Sequence, residues 1–293
     1  MKLGIALSGG GVKGIAHAGV LKALEDNGIQ IDIIGGTSSG SIIASIYAMG
    51  YSPYYTYILF KRYVKEVVEI TPFPIMLGIK NFMMNKKSNM LGLKSGEELE
   101  EAYDKIGMRY GKIKITDINK VKIVIPAVDI HNGKEYIFTN NIPDDEKIKG
   151  DILRTQYITD ISIGKAVRAS SSFPSIFTPC EYKKQHFLDG GILDNIPILE
   201  VKKQGADKVI AVQFETDDID EKSNLIDIGM RTIFIMGDKI SKESLNKSDY
   251  IITIDTPKMG LLDTDNIEEC YKAGYSAVIR NLKEIKNMLE LTN

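Results

Sequence analysis

The sequence has 293 residues, of which 43% are hydrophobic and 26% are charged. Its 37 Lys and Arg residues nearly balance its 39 Asp and Glu residues, so the composition indicates neither a basic nucleic-acid-binding surface nor a disordered acidic chain. No apolar run approaches the roughly 18 residues of a membrane-spanning helix, and the N-terminal run is too short for a secretory signal. The two cysteines, Cys180 and Cys270, lack metal-ligand spacing, and we expect both to be free thiols. Such sparse cysteine usage fits a reducing compartment, so we expect a cytoplasmic protein.

The N-terminal part alternates strand-like and helix-like patterns. The segment KLGIAL predicts a first strand, and apolar residues at helical spacing then predict a helix that ends near Gly28. The run IQIDIIGG predicts a second strand, followed by helices from about Ser39 to Met49 and from Pro53 to Val68. This order predicts an α/β fold with a mainly parallel central sheet and helices on both faces.

Residues 71–92 interrupt this alternation. They contain two prolines, several Met and Phe residues, and three lysines. Met-rich surfaces adapt to irregular apolar partners, so this segment is either a lid that contacts lipid or a loop packed on the core.

The second half of the chain adds further strand patterns. Residues 122–130 and 134–140 predict a hairpin joined by His-Asn-Gly, because Asn-Gly supplies the positive φ angles of a tight turn. The segments DKVIAVQF and DYIITID predict strands of the same sheet, and an apolar stripe from Ile267 to Leu289 predicts a last helix that docks on the core. With no repeat or clear linker, we expect one domain.

The first motif is SGGGVKG, residues Ser8–Gly14, at the junction of the first strand and helix. Gly9, Gly11 and Gly14 match GxGxxG, which is typical of dinucleotide-binding turns. The same loop suits an oxyanion hole, because consecutive glycine N–H groups converge on one oxygen at the positive end of a helix dipole. A P-loop is excluded because Ile15 follows Gly14. A tight turn without a ligand is the third interpretation.

The second motif is IIGGTSSGSI, in which only Ser38 has glycines two positions away on both sides, Gly36 and Gly40. A GxSxG motif between a strand and a helix predicts a nucleophile elbow, where the sharp turn leaves no room for flanking side chains. The strand before it also weakens the dinucleotide interpretation, because it lacks the terminal acidic residue that would hold a ribose. Asp32 lies too early in that strand.

A serine nucleophile requires a base, and the sequence offers His17, His131 and His186. None of them lies in a late loop after an acidic residue, as the α/β-hydrolase order requires, so a carboxylate is the better candidate. Asp189 is the first residue of an Asp-Gly-Gly sequence, which also suits a turn without catalytic function. Asp194 is a second candidate for the base. A carboxyl group with a pKa of about 3.9 is a weak base and requires a dry pocket to serve a serine.

Together these motifs resemble the patatin-like phospholipases of bacterial type. The chain shows, in order, SGGGVKGIAHAGVLKAL, GGTSSGSIIA, AVRASSSFPSIFTP and FLDGGILDNIP. The resemblance covers about residues 5–202, and residues 203–293 would complete the same α/β domain. It implies a patatin-like three-layer sandwich related to the α/β-hydrolases, with Ser38 as nucleophile and Asp189 as base. It further implies an oxyanion hole from the N–H groups of Gly9, Gly10 and Gly11, and supporting glycines at Gly14, Gly36, Gly40, Gly190 and Gly191.

The resemblance implies an acyl hydrolase of phospholipid or lysophospholipid esters that works through an acyl-enzyme without cofactor or metal. Ser8 stands where family members often have Asp, at the edge of the glycine loop. Residues 71–92 would allow peripheral contact between a cytoplasmic enzyme and a membrane. The sequence does not indicate the oligomeric state. A nucleotide-binding oxidoreductase and a catalytically silent lipid-binding module are the alternative functions.

Overall fold

The computed structural model describes residues 1–68, 94–144, 155–174, 176–215, 225–258 and 264–291. Strands and helices alternate along most of these ranges. The strands are β1 (Leu3–Leu7), β2 (Ile33–Gly36), β3 (Lys122–Asp129), β4 (Glu135–Thr139), β5 (Thr155–Ile158), β6 (Cys180–Tyr182), β7 (Gln185–Asp189), β8 (Lys208–Phe214) and β9 (Tyr250–Ile254). The α-helices are α1 (Ile15–Asp26), α2 (Ser39–Ala48), α3 (Pro53–Val68), α4 (Glu97–Met108), α5 (Ile163–Ser170), α6 (Ile198–Lys203), α7 (Leu225–Leu245) and α8 (Ile267–Met288).

These strands form one sheet with the order β5-β4-β3-β2-β1-β8-β9, and β7 pairs with β3 and β6. The pairs of β1 with β2 and β8, of β2 with β3, of β8 with β9 and of β4 with β5 are parallel. The pairs of β3 with β4 and β7, and of β6 with β7, are antiparallel. The predicted α/β fold with a mainly parallel sheet is therefore confirmed, and β8 and β9 extend the sheet beside β1.

Every residue of β1 and β2 is buried, because helices cover both faces of the sheet centre. Successive residues of β1 alternate between two apolar clusters: Ile5 and Leu7 belong to the larger one, and Ala6 belongs to the smaller one. The larger cluster includes α1, α2 and α8, whereas α6 contributes Ile198 and Val201 to the smaller one. Helix, sheet and helix thus form three layers.

The last helix docks on the first through two glycines. A Cβ atom at Gly274 would lie 1.9 Å from the Ala16 carbonyl oxygen, and one at Gly19 would lie 2.0 Å from the Tyr271 carbonyl oxygen. The two backbones therefore approach more closely than any side chain would allow. This contact confirms the predicted docking of the C-terminal helix on the core.

The β3–β4 hairpin forms as predicted, with Val124 opposite Thr139. Its connection is the five residues 130–134, and only Gly133 among them has a positive φ, 63°. The predicted tight Asn-Gly turn is therefore wrong. The Asn132 side-chain oxygen instead accepts the Lys134 N–H at 2.8 Å, which stabilises the longer loop.

The predicted lid or membrane-contact segment, residues 71–92, lies outside the described residues. Of the helices within the described ranges, none combines the length and the apolar composition needed to cross a bilayer. Cys180 and Cys270 are buried free thiols.

Candidate active site

The glycine-rich loop and Ser38 lie side by side because they follow adjacent parallel strands. Leu7, the last residue of β1, pairs with Gly36, the last residue of β2. The carboxyl ends of parallel strands form the edge where open α/β sheets bind their ligands. At this edge, a Cβ atom at Gly9 would lie only 3.1 Å from the Ser38 Cβ atom.

Asp189 reaches the same place from the opposite direction. β2 pairs with residues 122–124 of β3, and β7 pairs antiparallel with residues 127–129, so that Asp189 lies opposite Ala127. Because β4 occupies the other edge of β3, β2 and β7 share one edge and run toward each other. The ends of β2 and β7 therefore bring Ser38 and Asp189 together.

Ser38 has the backbone conformation of a nucleophile elbow. Its φ of 53° and ψ of −124° are strained for a residue with a side chain. A Cβ atom at Gly36 would lie 2.3 Å from the Gly40 carbonyl oxygen, and one at Gly40 would lie 2.6 Å from the Leu7 carbonyl oxygen. The turn thus leaves no room for side chains at these positions, as predicted, and Ser38 is left half-buried at the start of α2.

The serine-rich segment after α5 holds both halves of the site. The Ser38 N–H donates to the Ser170 hydroxyl oxygen at 3.1 Å, and the Asp189 N–H donates to the Ser172 carbonyl oxygen at 3.1 Å. Ser170 and Ser172 belong to the AVRASSS sequence, whose contribution sequence analysis left unassigned. These two bonds fix the backbone separation between the elbow and Asp189.

The Asp189 carboxyl group is buried, and its two oxygens differ. Oδ1 accepts the Gly191 N–H at 2.8 Å, whereas Oδ2 has no hydrogen-bond partner among the described residues. Burial raises the pKa of Asp189 to about 6, although the nearby Ser38 hydroxyl and the Gly191 N–H both favour the charged form. The Ser38 hydroxyl therefore lies near the carboxyl group without an ordinary hydrogen bond to Oδ2.

Asp194, the second candidate for the base, makes contacts that differ from those of Asp189. Its carbonyl oxygen accepts the Thr37 hydroxyl at 2.8 Å. Burial, and then the neighbouring charges of Glu135 and Glu200, raise the pKa of its carboxyl group well above the usual range. This carboxyl group therefore belongs to a buried acidic cluster with Glu135 and Glu200.

Hydrogen bonds satisfy part of the acidic cluster, whereas Glu135 Oε1 has no partner among the described residues. Glu200 accepts hydrogen bonds from Tyr157 at 2.6 Å and Lys203 at 2.8 Å, and Glu135 accepts one from Thr155 at 3.2 Å. Burial and the charge of Glu200 raise the pKa of Glu135 to about 7. Within the described ranges, no three His, Cys, Asp or Glu residues are arranged to hold a metal ion.

The three histidines have structural contacts. His17 Nε2 donates to the Ser8 carbonyl oxygen at 2.8 Å, and burial lowers the pKa of His17 to about 4, so the ring is neutral at physiological pH. His131 and His186 contact each other at 3.1 Å, and His186 also lies 3.1 Å from Glu181. In the described part of the chain, none of these contacts reaches Ser38.

The glycine loop differs from expectation at Gly9. The Gly9 N–H donates to Asn195, at 3.2 Å from the carbonyl oxygen and 3.1 Å from Oδ1. It is therefore not free to bind an oxyanion in this conformation. The N–H groups of Gly10 and Gly11 have no such partner among the residues that the structure describes.

Asn195 was not among the predicted site residues, although it lies within FLDGGILDNIP, six positions after Asp189. Its position in that motif is the sequence signal that could have identified it.

The remaining supporting glycines are tightly packed. A Cβ atom would lie 2.3 Å from the Ser39 hydroxyl oxygen at Gly14, 2.4 Å from the Pro126 carbonyl oxygen at Gly190, and 3.1 Å from Asp189 Oδ1 at Gly191.

The family model for patatin-like phospholipases matches residues 5–202. Lysophospholipase NTE1 of Debaryomyces hansenii is 32% identical over 218 residues, which cover 72% of this chain and 12% of the fungal protein. The protein of the same name from Meyerozyma guilliermondii is 31% identical over 217 residues, with the same two coverages. The chain thus spans about an eighth of the length of these relatives.

Two solved structures share the fold at low sequence identity. VipD from Legionella pneumophila has a TM-score of 0.52 at 16% identity, covering 97% of this chain and 67% of that one. The ExoU–SpcU complex from Pseudomonas aeruginosa has a TM-score of 0.52 at 17% identity, covering 100% of this chain and 52% of the matched one. The comparisons support neither the dinucleotide-binding alternative nor a silent lipid-binding module.

Proposed function

The chain belongs to the patatin-like phospholipase family, whose members are lipid acyl hydrolases, and we propose that it hydrolyses lipid esters with a Ser38–Asp189 dyad. One observation carries this proposal: the strained elbow at Ser38 faces a buried carboxyl group whose Oδ2 atom has no partner among the described residues. A buried acceptor without a donor is costly, and its place beside the elbow assigns this one to catalysis rather than to packing.

In the first step, Ser38 Oγ adds to the carbonyl carbon of the lipid ester while Asp189 Oδ2 takes the hydroxyl proton. The carbonyl oxygen becomes an oxyanion, and the Gly10 and Gly11 N–H groups donate to it. These groups have no competing partner among the described residues, and they lie where the chain enters the helical turn at Gly11–Gly14 and then α1. Preorganised backbone donors of this kind stabilise the developing charge.

In the second step, the tetrahedral intermediate expels the alcohol portion of the lipid, which receives the proton from Asp189. The acyl chain remains bonded to Ser38. A water molecule then gives its proton to Asp189 and adds to the acyl carbon, and collapse of the second intermediate returns the proton to Ser38 and releases the fatty acid.

The raised pKa of Asp189 supports its role as the base. A carboxyl group at its usual pKa of 3.8 takes up protons poorly near neutral pH, whereas a pKa of about 6 brings the group closer to the working range. Burial supplies this change, in agreement with the dry pocket that sequence analysis requires.

We further propose phospholipids or lysophospholipids as substrates. The fungal relatives are named lysophospholipases, and this chain covers 12% of their length. Peripheral membrane contact through residues 71–92, by a protein in the cytoplasm, is supported by the Met, Phe and Lys content of that segment.

Fatty acid release from lysophosphatidylcholine tests the proposed function. The wild-type chain should release fatty acid, Ser38→Ala and Asp189→Asn should not, and the matched carboxyl variant Asp194→Asn should retain most of the activity. If Ser38→Ala hydrolyses the ester at the wild-type rate, the nucleophile is wrong. If Asp194→Asn is inactive and Asp189→Asn is active, the base is wrong.

A further inference from the structure

Asn195 connects the two loops that form the site. It is 5% exposed, and both its carbonyl oxygen and its Oδ1 atom accept the Gly9 N–H, at 3.2 and 3.1 Å. The same Oδ1 atom lies 3.2 Å from the position of a Cβ atom at Gly191. The side-chain amide is thus packed between the glycine loop and the turn that follows Asp189.

The contact at Gly9 is close enough to fix the loop. A Cβ atom at Gly9 would lie 2.7 Å from Asn195 Oδ1 and 3.1 Å from the Ser38 Cβ atom. Gly9 therefore occupies a narrow space between the amide and the nucleophile. Only a residue without a side chain allows Asn195 to reach the backbone at this point.

The two bonds determine which N–H groups of the loop are available. They hold the Gly9 N–H toward Asn195 and away from a bound ester. The bonds at Gly9 hold one end of the loop and the helical turn Gly11–Gly14 holds the other, so the peptide units between them are restrained from both sides. Glycine is otherwise the most freely rotating residue, so Gly10 and Gly11 depend on such an external restraint.

We propose that Asn195 is a positioning residue, which holds Gly9 so that the Gly10 and Gly11 N–H groups point at the oxyanion of the ester being hydrolysed. This inference rests on the proposed function, and it assigns Asn195 no contact with substrate. Loss of the side-chain bond should weaken stabilisation of the charged intermediate and leave binding of the uncharged ester nearly unchanged. The kinetic result is a lower kcat with a similar KM.

A pair of ketone inhibitors tests this proposal directly. Ser38 Oγ adds to the carbonyl carbon of a long-chain trifluoromethyl ketone, Asp189 takes the proton, and the resulting oxyanion requires the Gly10 and Gly11 donors. The methyl ketone of the same chain binds without this addition. The ratio of the two inhibition constants therefore reports oxyanion stabilisation apart from lipid-chain binding.

In Asn195→Leu, which removes the side-chain acceptor at similar size and keeps the backbone carbonyl, we expect kcat and trifluoromethyl ketone affinity to fall about tenfold while methyl ketone affinity stays within about twofold. Asn195→Asp keeps an oxygen acceptor and should recover part of the trifluoromethyl ketone affinity. Asn195→Ser, which adds no bulk, gives the same comparison if the leucine variant does not fold.

Asn140→Leu is the matched control. The Asn140 Oδ1 atom also accepts a backbone N–H, that of Ile123 at 3.0 Å, but at the opposite end of β3 from the site. This variant should leave the inhibitor ratio unchanged. Equal loss of affinity for both ketones in Asn195→Leu, or no loss, overturns the inference, whereas a wild-type chain that releases no fatty acid overturns the proposed function instead.

Discussion

Ser38 and Asp189 lie at the facing ends of β2 and β7, two strands that run toward each other along one edge of β3. Their meeting depends on β2 ending after it has paired with residues 122–124, which leaves the rest of that edge to β7. The proximity of the two residues is thus set by strand register, and the backbone N–H of each donates a hydrogen bond to the AVRASSS segment.

Strain at Ser38 predicts an unusual order of stability. Ser38→Gly should be more stable than Ser38→Ala by about 1 kcal/mol, because glycine accepts a φ of 53° without the clash of a Cβ atom. Both variants should be inactive. Chemical denaturation of the two variants measures the difference, and equal stabilities would show that the elbow stores no strain.

Ionisation of Asp189 predicts the acid limb of the pH profile. Since the base must be unprotonated and its pKa is about 6, kcat/KM should fall about tenfold per pH unit well below that value. Rates measured for a short-chain ester across this range provide the check. Asp194→Asn should leave the midpoint of this fall at the same pH. A midpoint that shifts in this variant would assign the titration to the acidic cluster.

The buried charge of Asp189 also predicts a cost in stability. Its pKa is about 6 in the folded chain and 3.8 ordinarily, so between these values the folded state holds a proton that the unfolded state has lost. Folding stability therefore falls as the pH rises through this interval, and the loss is complete above the folded-state pKa.

Asp189→Asn removes that charge and should be more stable than the wild type by roughly 1 to 3 kcal/mol at about pH 8, although inactive. At about pH 3, below both pKa values, Asp189 is mostly protonated in the folded and the unfolded chain, and the advantage should disappear. Denaturation at the two pH values measures it. An asparagine variant that is less stable at the higher pH would contradict the burial of an uncompensated carboxylate.

Ser170 predicts an effect on the nucleophile from outside the dyad. Ser170→Ala leaves the partly buried Ser38 N–H without its acceptor, so it should cost about 1 kcal/mol of stability and lower kcat. Ser45→Ala is the control, because Ser45 is equally buried but bonds to Tyr103 and its own helix. If the two variants lose kcat equally, Ser170 has no special role at the elbow.

Much of the fold follows from local pattern. The apolar runs of β1 and β2 predict strands buried on both faces, and the register of Gly36, Ser38 and Gly40 predicts a crowded turn that the structure contains. The Asn-Gly turn fails because side-chain hydrogen bonding at Asn132 stabilises a longer loop than the dipeptide preference indicates.

The parts of the site that sequence analysis missed depend on contacts between distant positions. Gly9 and Asn195 are 186 residues apart, and Ser38 and Ser170 are 132 apart. Whether a glycine N–H is free or engaged depends on which loop the fold places beside it. A motif specifies the residue types, but only the folded chain shows that Gly9 is already bonded.

Covalent labelling with a long-chain fluorophosphonate tests the central claim most directly, because the reagent bonds only to an activated nucleophile. After digestion, mass spectrometry should find the phosphonyl group on Ser38 of the wild-type chain and no adduct in Ser38→Ala, with labelling greatly slowed in Asp189→Asn. Labelling of Ser38 at the wild-type rate in Asp189→Asn, or an adduct on another residue that persists in Ser38→Ala, would contradict a Ser38–Asp189 dyad.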